Sequence, residues 1–164
     1  MPLETTRGRI IVGIDPGTAR CGYGVVVVKR RELALRACGL ITTAAGADRS
    51  ERLARLQTAL EQILKRHRPH RVAVEELFFS KNVKTAMAVA EARGVVLAAS
   101  ARLKIPVDAI SPGTIKQSLT SFGRASKQQV GKMVALILGL AKPPRPDDVA
   151  DALACAITCA WRER

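Results

Sequence analysis

The chain predicts an α/β domain, and three features of the sequence lead there. Three β-rich runs stand close together near the start, Arg9–Asp15, Tyr23–Val28 and Leu33–Thr43. Their short connections predict an antiparallel meander. A fourth β-rich run, Arg71–Glu75, comes only after a helical stripe, and that spacing suits a crossover to a strand parallel to the first. Beyond it, helical patterns alternate with one last β-rich run, Ile105–Ile110.

The first run, Ile10-Ile11-Val12-Gly13-Ile14, is apolar and β-branched, as a buried central strand is. It ends at Asp15 and turns through Pro16-Gly17. In the second run, Gly22 and Gly24 weaken the strand, so they either admit a close neighbour backbone or ease the hairpin's twist. Asp48 or Ser50 caps a helix reaching about His67, with Leu53, Leu56, Leu60, Ile63 and Leu64 as its apolar stripe. Its arginines and lysines fall mostly on the solvated face, and helix termination accounts for His67 and His70.

From Asn82 to Arg102 runs a long helix with few large residues. Ala86, Ala90, Gly94 and Ala98 recur every fourth position, suiting close packing on the sheet or against a second helix at a dimer interface. Ser111-Pro112 opens a short helix carrying Lys116. After the basic turn at Gly123-Arg124, Ser126 and Gln129 form a capping box for a helix with Lys127 in its first turn. A stiff connector, Lys142 to Pro146, leads to a last helix capped by Asp147.

The length, 164 residues, suits one compact domain, read here as residues 10–164 after a loose polar extension at 1–9. Lys and Arg number 27 against 14 Asp and Glu, a net charge of +13. Such a surface points to a polyanion, and nucleic acid fits better than an anionic membrane because no basic helix with bulky apolar anchors is present. No run approaches the roughly 20 apolar residues of a membrane span, and no secretory pattern opens the chain. Cys21, Cys38, Cys155 and Cys159 lack metal spacing and read as small core residues of a reducing compartment, here the cytoplasm.

Against that charge the placement of the acids stands out. Asp15 and Glu75 each end a buried strand, and Asp148 and Asp151 lie on one face of the last helix's first turn. Asp15 alone is explained equally well as a turn residue, and dipole stabilisation explains Asp147. Asp151 is explained poorly that way, since it lies a full turn in and borders the apolar face. Carboxylates gathered at one place repel by roughly 4 kcal/mol per close pair at a surface-like dielectric. A divalent cation removes that cost, and an all-oxygen ligand set suits Mg²⁺ or Mn²⁺. Two such ions promote in-line attack on a phosphodiester, with Lys116 and Lys127 available to its phosphates.

Five motifs carry a family resemblance: Gly13-Ile14-Asp15-Pro16-Gly17; Gly22-Tyr23-Gly24-Val25; Glu75 with Phe78, Lys81 and Asn82; Ala92-Arg93-Gly94-Val95; and Asp148-Val149-Ala150-Asp151-Ala152-Leu153-Ala154. In this order and spacing the sequence resembles the RuvC family of bacterial Holliday junction resolvases, from Ile11 to about Thr158. The resemblance implies a ribonuclease-H-like fold, a five-stranded mixed sheet with helices on both faces. It implies a homodimer that resolves four-way DNA junctions by paired nicks in recombination and repair, beside a branch-migration motor of the RuvA and RuvB type. By matching position it makes Asp15, Glu75, Asp148 and Asp151 the metal-binding catalytic acids, with two ions per site and Asp15 bridging them. It makes Phe78 the aromatic at the junction point and matches Lys116 and Lys127 to the family's functional lysines, and Lys81 and Arg124 are further cations expected to contact DNA. Two acids have close neighbours. Strand period sends Glu76 to the face opposite Glu75, whereas Asp147 shares a face with Asp151 and stays an alternative to Asp148.

Gly13–Thr18 also resembles the first phosphate loop of actin-like ATPases, but one domain of this length cannot form their two-domain cleft. A junction-binding module without activity would gain nothing from four acids. Another nuclease of the same fold, acting on an RNA–DNA hybrid or a tRNA precursor, would differ in substrate alone.

Overall fold

A computed structural model of the chain describes residues 8–77 and 83–162. Its centre is a five-stranded sheet in the order β3-β2-β1-β4-β5. The strands are β1 (Arg9–Asp15), β2 (Arg20–Lys29), β3 (Glu32–Thr42), β4 (Arg71–Glu75) and β5 (Val107–Ile110). β1, β2 and β3 pair antiparallel, as the meander requires, while β4 runs parallel to β1 and β5 parallel to β4. The sheet is therefore mixed. Both parallel pairings follow a helical crossover, α1 (Arg49–His67) before β4 and α2 (Val83–Arg102) before β5.

Residue alternation along β1 divides the core in two. Val12 and Ile14 face α1 and α2, where they meet Leu56, Leu60, Leu64, Ala92 and Val96. Ile11 faces the other way, into a cluster built by α3 (Pro112–Thr120), α4 (Lys127–Ile137) and α5 (Asp147–Arg162). α5 lies deepest, with every residue from Ala152 to Ala160 buried. Cys155 and Cys159 are part of that packing, and all four cysteines are free.

The expected boundaries hold with physical adjustments. Asp48 is the α1 cap, its carboxylate accepting from the Ser50 backbone N–H at 3.0 Å. Ser111 and the Ser126–Gln129 capping box start α3 and α4. β5 begins at Val107, not Ile105, because α2 ends through a left-handed Lys104 and the Ile105 N–H returns to the Ser100 carbonyl at 3.0 Å. Asp147 is a helical residue of α5 and not its cap: its carboxylate accepts from Arg145 Nη1 at 2.7 Å. His70 does more than end a helix. Its Nδ1 accepts from the Ile10 N–H at 3.0 Å, tying the crossover to β1. Arg9 already belongs to β1, opposite Val28, so the expected N-terminal extension falls on residues 1–7, outside the described residues.

The small-residue stripe of α2 does not face the sheet. The helix buries Ala92, Val96, Ala99 and Ser100, while Ala90, Gly94 and Ala98 are exposed. Beside that stripe Val83, Met87 and Leu97 are also exposed.

Candidate active site

Strand parity places the first two acids. Asp15 is two and four residues from Gly13 and Ile11, so it points to the α5 face. β1 and β4 are aligned with Ile14 beside Val74, and the next step sets Asp15 beside Glu75. Glu75 shares parity with Ala73, which packs in the α5 cluster, while Glu76 points away and is exposed. The parity argument for Glu75 over Glu76 thus agrees with the fold.

The other two acids arrive on α5, and three glycines let them come close. A Cβ on Gly13 would lie 1.9 Å from the Ala152 carbonyl oxygen. One on Gly22 would lie 2.1 Å from the Asp148 carbonyl oxygen, and one on Gly24 would lie 2.4 Å from Leu153 Cδ2. Backbone therefore sits on backbone at Gly13 and Gly22, which resolves the alternatives for Gly22 in favour of a close backbone, whereas the close neighbour of Gly24 is the Leu153 side chain.

The four carboxylates act on one another. The Asp15 carboxyl is pushed from 3.8 up to about 7, first by burial and then by Asp151, Glu75 and Asp148. Lys127 pulls it partly back. Glu75 is also raised, by burial and then by Asp151, against the pull of Lys127 and Lys116. Asp151 accepts a hydrogen bond from Lys127 Nζ at 2.9 Å, and Lys127 holds its own proton more tightly for it. Asp148 accepts from Arg20 Nη2 at 2.6 Å. Asp147, the alternative to Asp148, is tied to Arg145 and is not among the groups that raise Asp15.

Carboxylates gathered around Asp15 so that they raise it are hard oxygen donors that suit a divalent cation. As the side chains stand, no group of three His, Cys, Asp or Glu among the described residues converges closely enough to hold an ion. Asp148 and Asp151 are turned instead to Arg20 and Lys127. Those two cations balance the acids here.

A cleft of about 170 Å³ opens beside this cluster, lined by Glu75, Asp151, Lys116 and Lys127. α3 and α4 supply its two lysines. Arg124 lies exposed in the turn between those helices. Phe78 and Lys81 lie outside the described residues. A larger groove, about 940 Å³, opens near His67 and His70 and contains none of the four acids.

Sequence reasoning missed Arg20. In so basic a chain one more arginine carries no signal, and its pairing with Asp148 depends on the antiparallel return of β2 beside β1. The role of Gly13 was legible in part, since a glycine interrupts an otherwise β-branched core strand.

The mixed sheet, with α5 laid across β1 and β2, defines a domain of the ribonuclease-H-like class. Comparison with known proteins is more specific. The family model for crossover junction endodeoxyribonuclease RuvC matches residues 11–159. The chain belongs to the RuvC family, whose members are nucleases acting on phosphodiester bonds. It is 50% identical to the RuvC of Heliobacterium modesticaldum over 151 residues, 92% of this chain and 93% of that one. With the RuvC of Moorella thermoacetica it shares 48% identity, covering 94% of this chain and 95% of that one. The structure of Thermus thermophilus RuvC in complex with Holliday junction substrate superposes with a TM-score of 0.90 at 40% identity, over 95% of each chain. A yeast mitochondrial Holliday junction resolvase, at 17% identity and a TM-score of 0.65, shares the fold.

Proposed function

We propose that this chain resolves four-way DNA junctions by metal-assisted hydrolysis, with Asp15, Glu75, Asp148 and Asp151 as the catalytic acids. The observation that carries the reading is the coupling of Asp15 to the other three across three separate elements. A pure phosphate binder gains nothing from acids gathered around one carboxylate. The family is one of divalent-metal nucleases. The finer reading is Mg²⁺, with Mn²⁺ as a substitute, two ions per site and Asp15 between them. Such ions, when bound, activate the attacking water and offset charge on the leaving oxygen.

This chain's own residues supply the rest. Half-burial of Asp15 and Glu75 at the strand ends limits the water around their carboxylates while leaving Glu75 open to the cleft. Lys116 and Lys127 stand on the cleft walls, where they hold the scissile phosphate and neutralise charge that grows during attack. Arg124 contacts a flanking phosphate, Lys81 another, and Phe78 meets the bases at the junction point. Asp148 and Asp151, now paired with Arg20 and Lys127, would hold the cation together with Asp15 and Glu75.

Paired nicks need two sites facing one junction, so the working form is a homodimer. The exposed Ala90, Gly94 and Ala98 stripe of α2, flanked by Met87 and Leu97, supports a helix pair there. The family resemblance adds a role in recombination and repair, a branch-migration motor of the RuvA and RuvB type as partner, and the cytoplasm as the place of action. Among the described residues no helix is long and apolar enough to cross a membrane. The proposed domain is one nuclease unit that starts with β1 at Arg9, one residue before the expected start at 10.

Incubating a synthetic four-way junction with a Mg²⁺ titration tests this. Symmetric nicks that require the cation, and are not competed by linear duplex or RNA–DNA hybrid, are expected. Cleavage without divalent metal, or preference for a hybrid, would overturn it.

A further inference from the structure

The turn that joins the two lysine-bearing walls of the cleft, between α3 and α4, presents a bare aromatic ring. Phe122 is 55% exposed in a chain with only 3% aromatic residues. An exposed benzyl group in a tight turn needs a reason, because the neighbouring Ile115, Leu119 and Ala125 are all buried.

The backbone beneath the ring is firmly held. Thr120 Oγ1 accepts from the Phe122 N–H at 3.1 Å, and lies 3.0 Å from the Phe122 carbonyl and 2.7 Å from the Lys116 carbonyl. The Ala125 N–H donates to the Phe122 carbonyl at 3.1 Å. Gln117 Nε2 donates to the Ser121 carbonyl at 3.2 Å, and Ser121 itself is left-handed. One hydroxyl thus joins the Phe122 turn to the backbone of Lys116, whose side chain lines the acid cleft. The ring stands on a preorganised turn with Lys116 before it and Arg124 and Lys127 after it. Cations that track a backbone, interleaved with an aromatic face, are what single-stranded nucleic acid is held by.

We propose that Phe122 is a substrate-positioning side chain whose ring stacks on an unpaired nucleobase next to the cut phosphodiester, seating that strand over the acids. This rests on the reading of the chain as a junction nuclease. At an intact duplex the bases are stacked on one another and offer no free face. A branch point interrupts that stack and leaves base faces open once a pair is parted there, so the contact also favours junctions over linear DNA. The ring reads the presence of an open base face and not its hydrogen-bonding edge.

The test compares wild type, Phe122→Ala and Phe122→Trp on a four-way junction carrying 2-aminopurine beside the cleavage site. Cleavage is followed in Mg²⁺ and binding in Ca²⁺. Wild type and Phe122→Trp are expected to change the probe's fluorescence on binding and to cleave with similar KM. Phe122→Ala is expected to lose the fluorescence change and to raise KM by roughly 5- to 150-fold, the range of one base–aromatic stack. Its thermal midpoint is expected to stay with wild type. Unchanged KM and fluorescence in Phe122→Ala overturn the inference alone. A lowered thermal midpoint without rescue by Phe122→Trp also overturns it, making the ring a core group. So does a change of oligomeric state in Phe122→Ala, which makes it an interface between copies. A wild-type chain that cuts no junction overturns the proposed function first, and the inference with it.

Discussion

Gly22 and Asp148 touch backbone to backbone: a Cβ at Gly22 would stand 2.1 Å from the Asp148 carbonyl oxygen. The same glycine pairs with Asp15 across β1 and β2. One missing methyl group thus sets the distance between the strand that brings Asp15 and the helix that brings Asp148 and Asp151.

Gly22→Ala is therefore expected to push the first turn of α5 off the sheet. Overpacking against backbone, which cannot rotate aside, should cost about 1–3 kcal/mol. Cleavage should fall further than that stability loss explains, because Asp148 and Asp151 move with the helix. Gly46→Ala serves as the control, since nothing lies within 4 Å of its added Cβ. Urea unfolding and junction cleavage measured on both variants check the contrast.

Asp15→Asn should abolish cleavage, leave junction binding, and stabilise the metal-free protein at alkaline pH. The fold raises the Asp15 carboxyl from 3.8 to about 7, so between those values the folded chain keeps a proton that the unfolded chain has lost. Stability from this group is therefore present at low pH and is lost as pH rises through about 7. The upper limit of the loss is about 4 kcal/mol, at ~1.4 kcal/mol for each tenfold change in proton affinity. Thermal scans of both proteins from pH 4 to 8 should show the variant gaining on wild type as pH climbs, and saturating Mg²⁺ should close the gap. Parallel curves would remove Asp15 from the charge cluster.

Lys127→Met removes the partner of Asp151 and the cation that lowers both Asp15 and Glu75. The pair is mostly exposed on the lysine side, at 72%, so stability should change by less than about 1 kcal/mol. The pH–rate profile should respond more: its acidic limb moves to higher pH, because the carboxylates hold their protons longer. A limb that stays in place, with activity unchanged, would separate Lys127 from the acids.

Junction affinity should fall steeply with salt. If Lys116, Arg124 and Lys127 each neutralise a phosphate, each replacement by Ala reduces the slope of log affinity against log salt by about 1. Binding curves at several salt concentrations measure it. A variant that binds more weakly at an unchanged slope is not losing a phosphate contact.

Much of this architecture is written in local pattern. The β-branched run ending at Asp15 and the crossover spacing to Glu75 announced a parallel pair. Strand parity then separated Glu75 from Glu76 before any coordinates. Caps at Ser111 and Ser126 were legible, and the first cap was narrowed to Asp48 or Ser50, because a side-chain oxygen before a helical stripe has few other uses. What sequence hid are relations between distant segments. Arg20 meets Asp148 only through the hairpin return, and His70 meets Ile10 only through the crossover. The alternatives for Gly22 and the α2 stripe stayed open because a small residue admits a neighbour without saying which one. Phe122 drew no notice in sequence, since an isolated aromatic in a basic turn gains meaning only when its ring is seen exposed over fixed backbone.

The central claim is that Asp15, Glu75, Asp148 and Asp151 share a divalent cation. Anomalous diffraction from crystals of this chain soaked in Mn²⁺ tests it most directly. The account predicts a peak between Asp15 and Glu75 with an α5 carboxylate turned onto it, and with Lys127 or Arg20 displaced. Saturating Mn²⁺ with no peak there, and with Lys127 still on Asp151 and Arg20 still on Asp148, would contradict it.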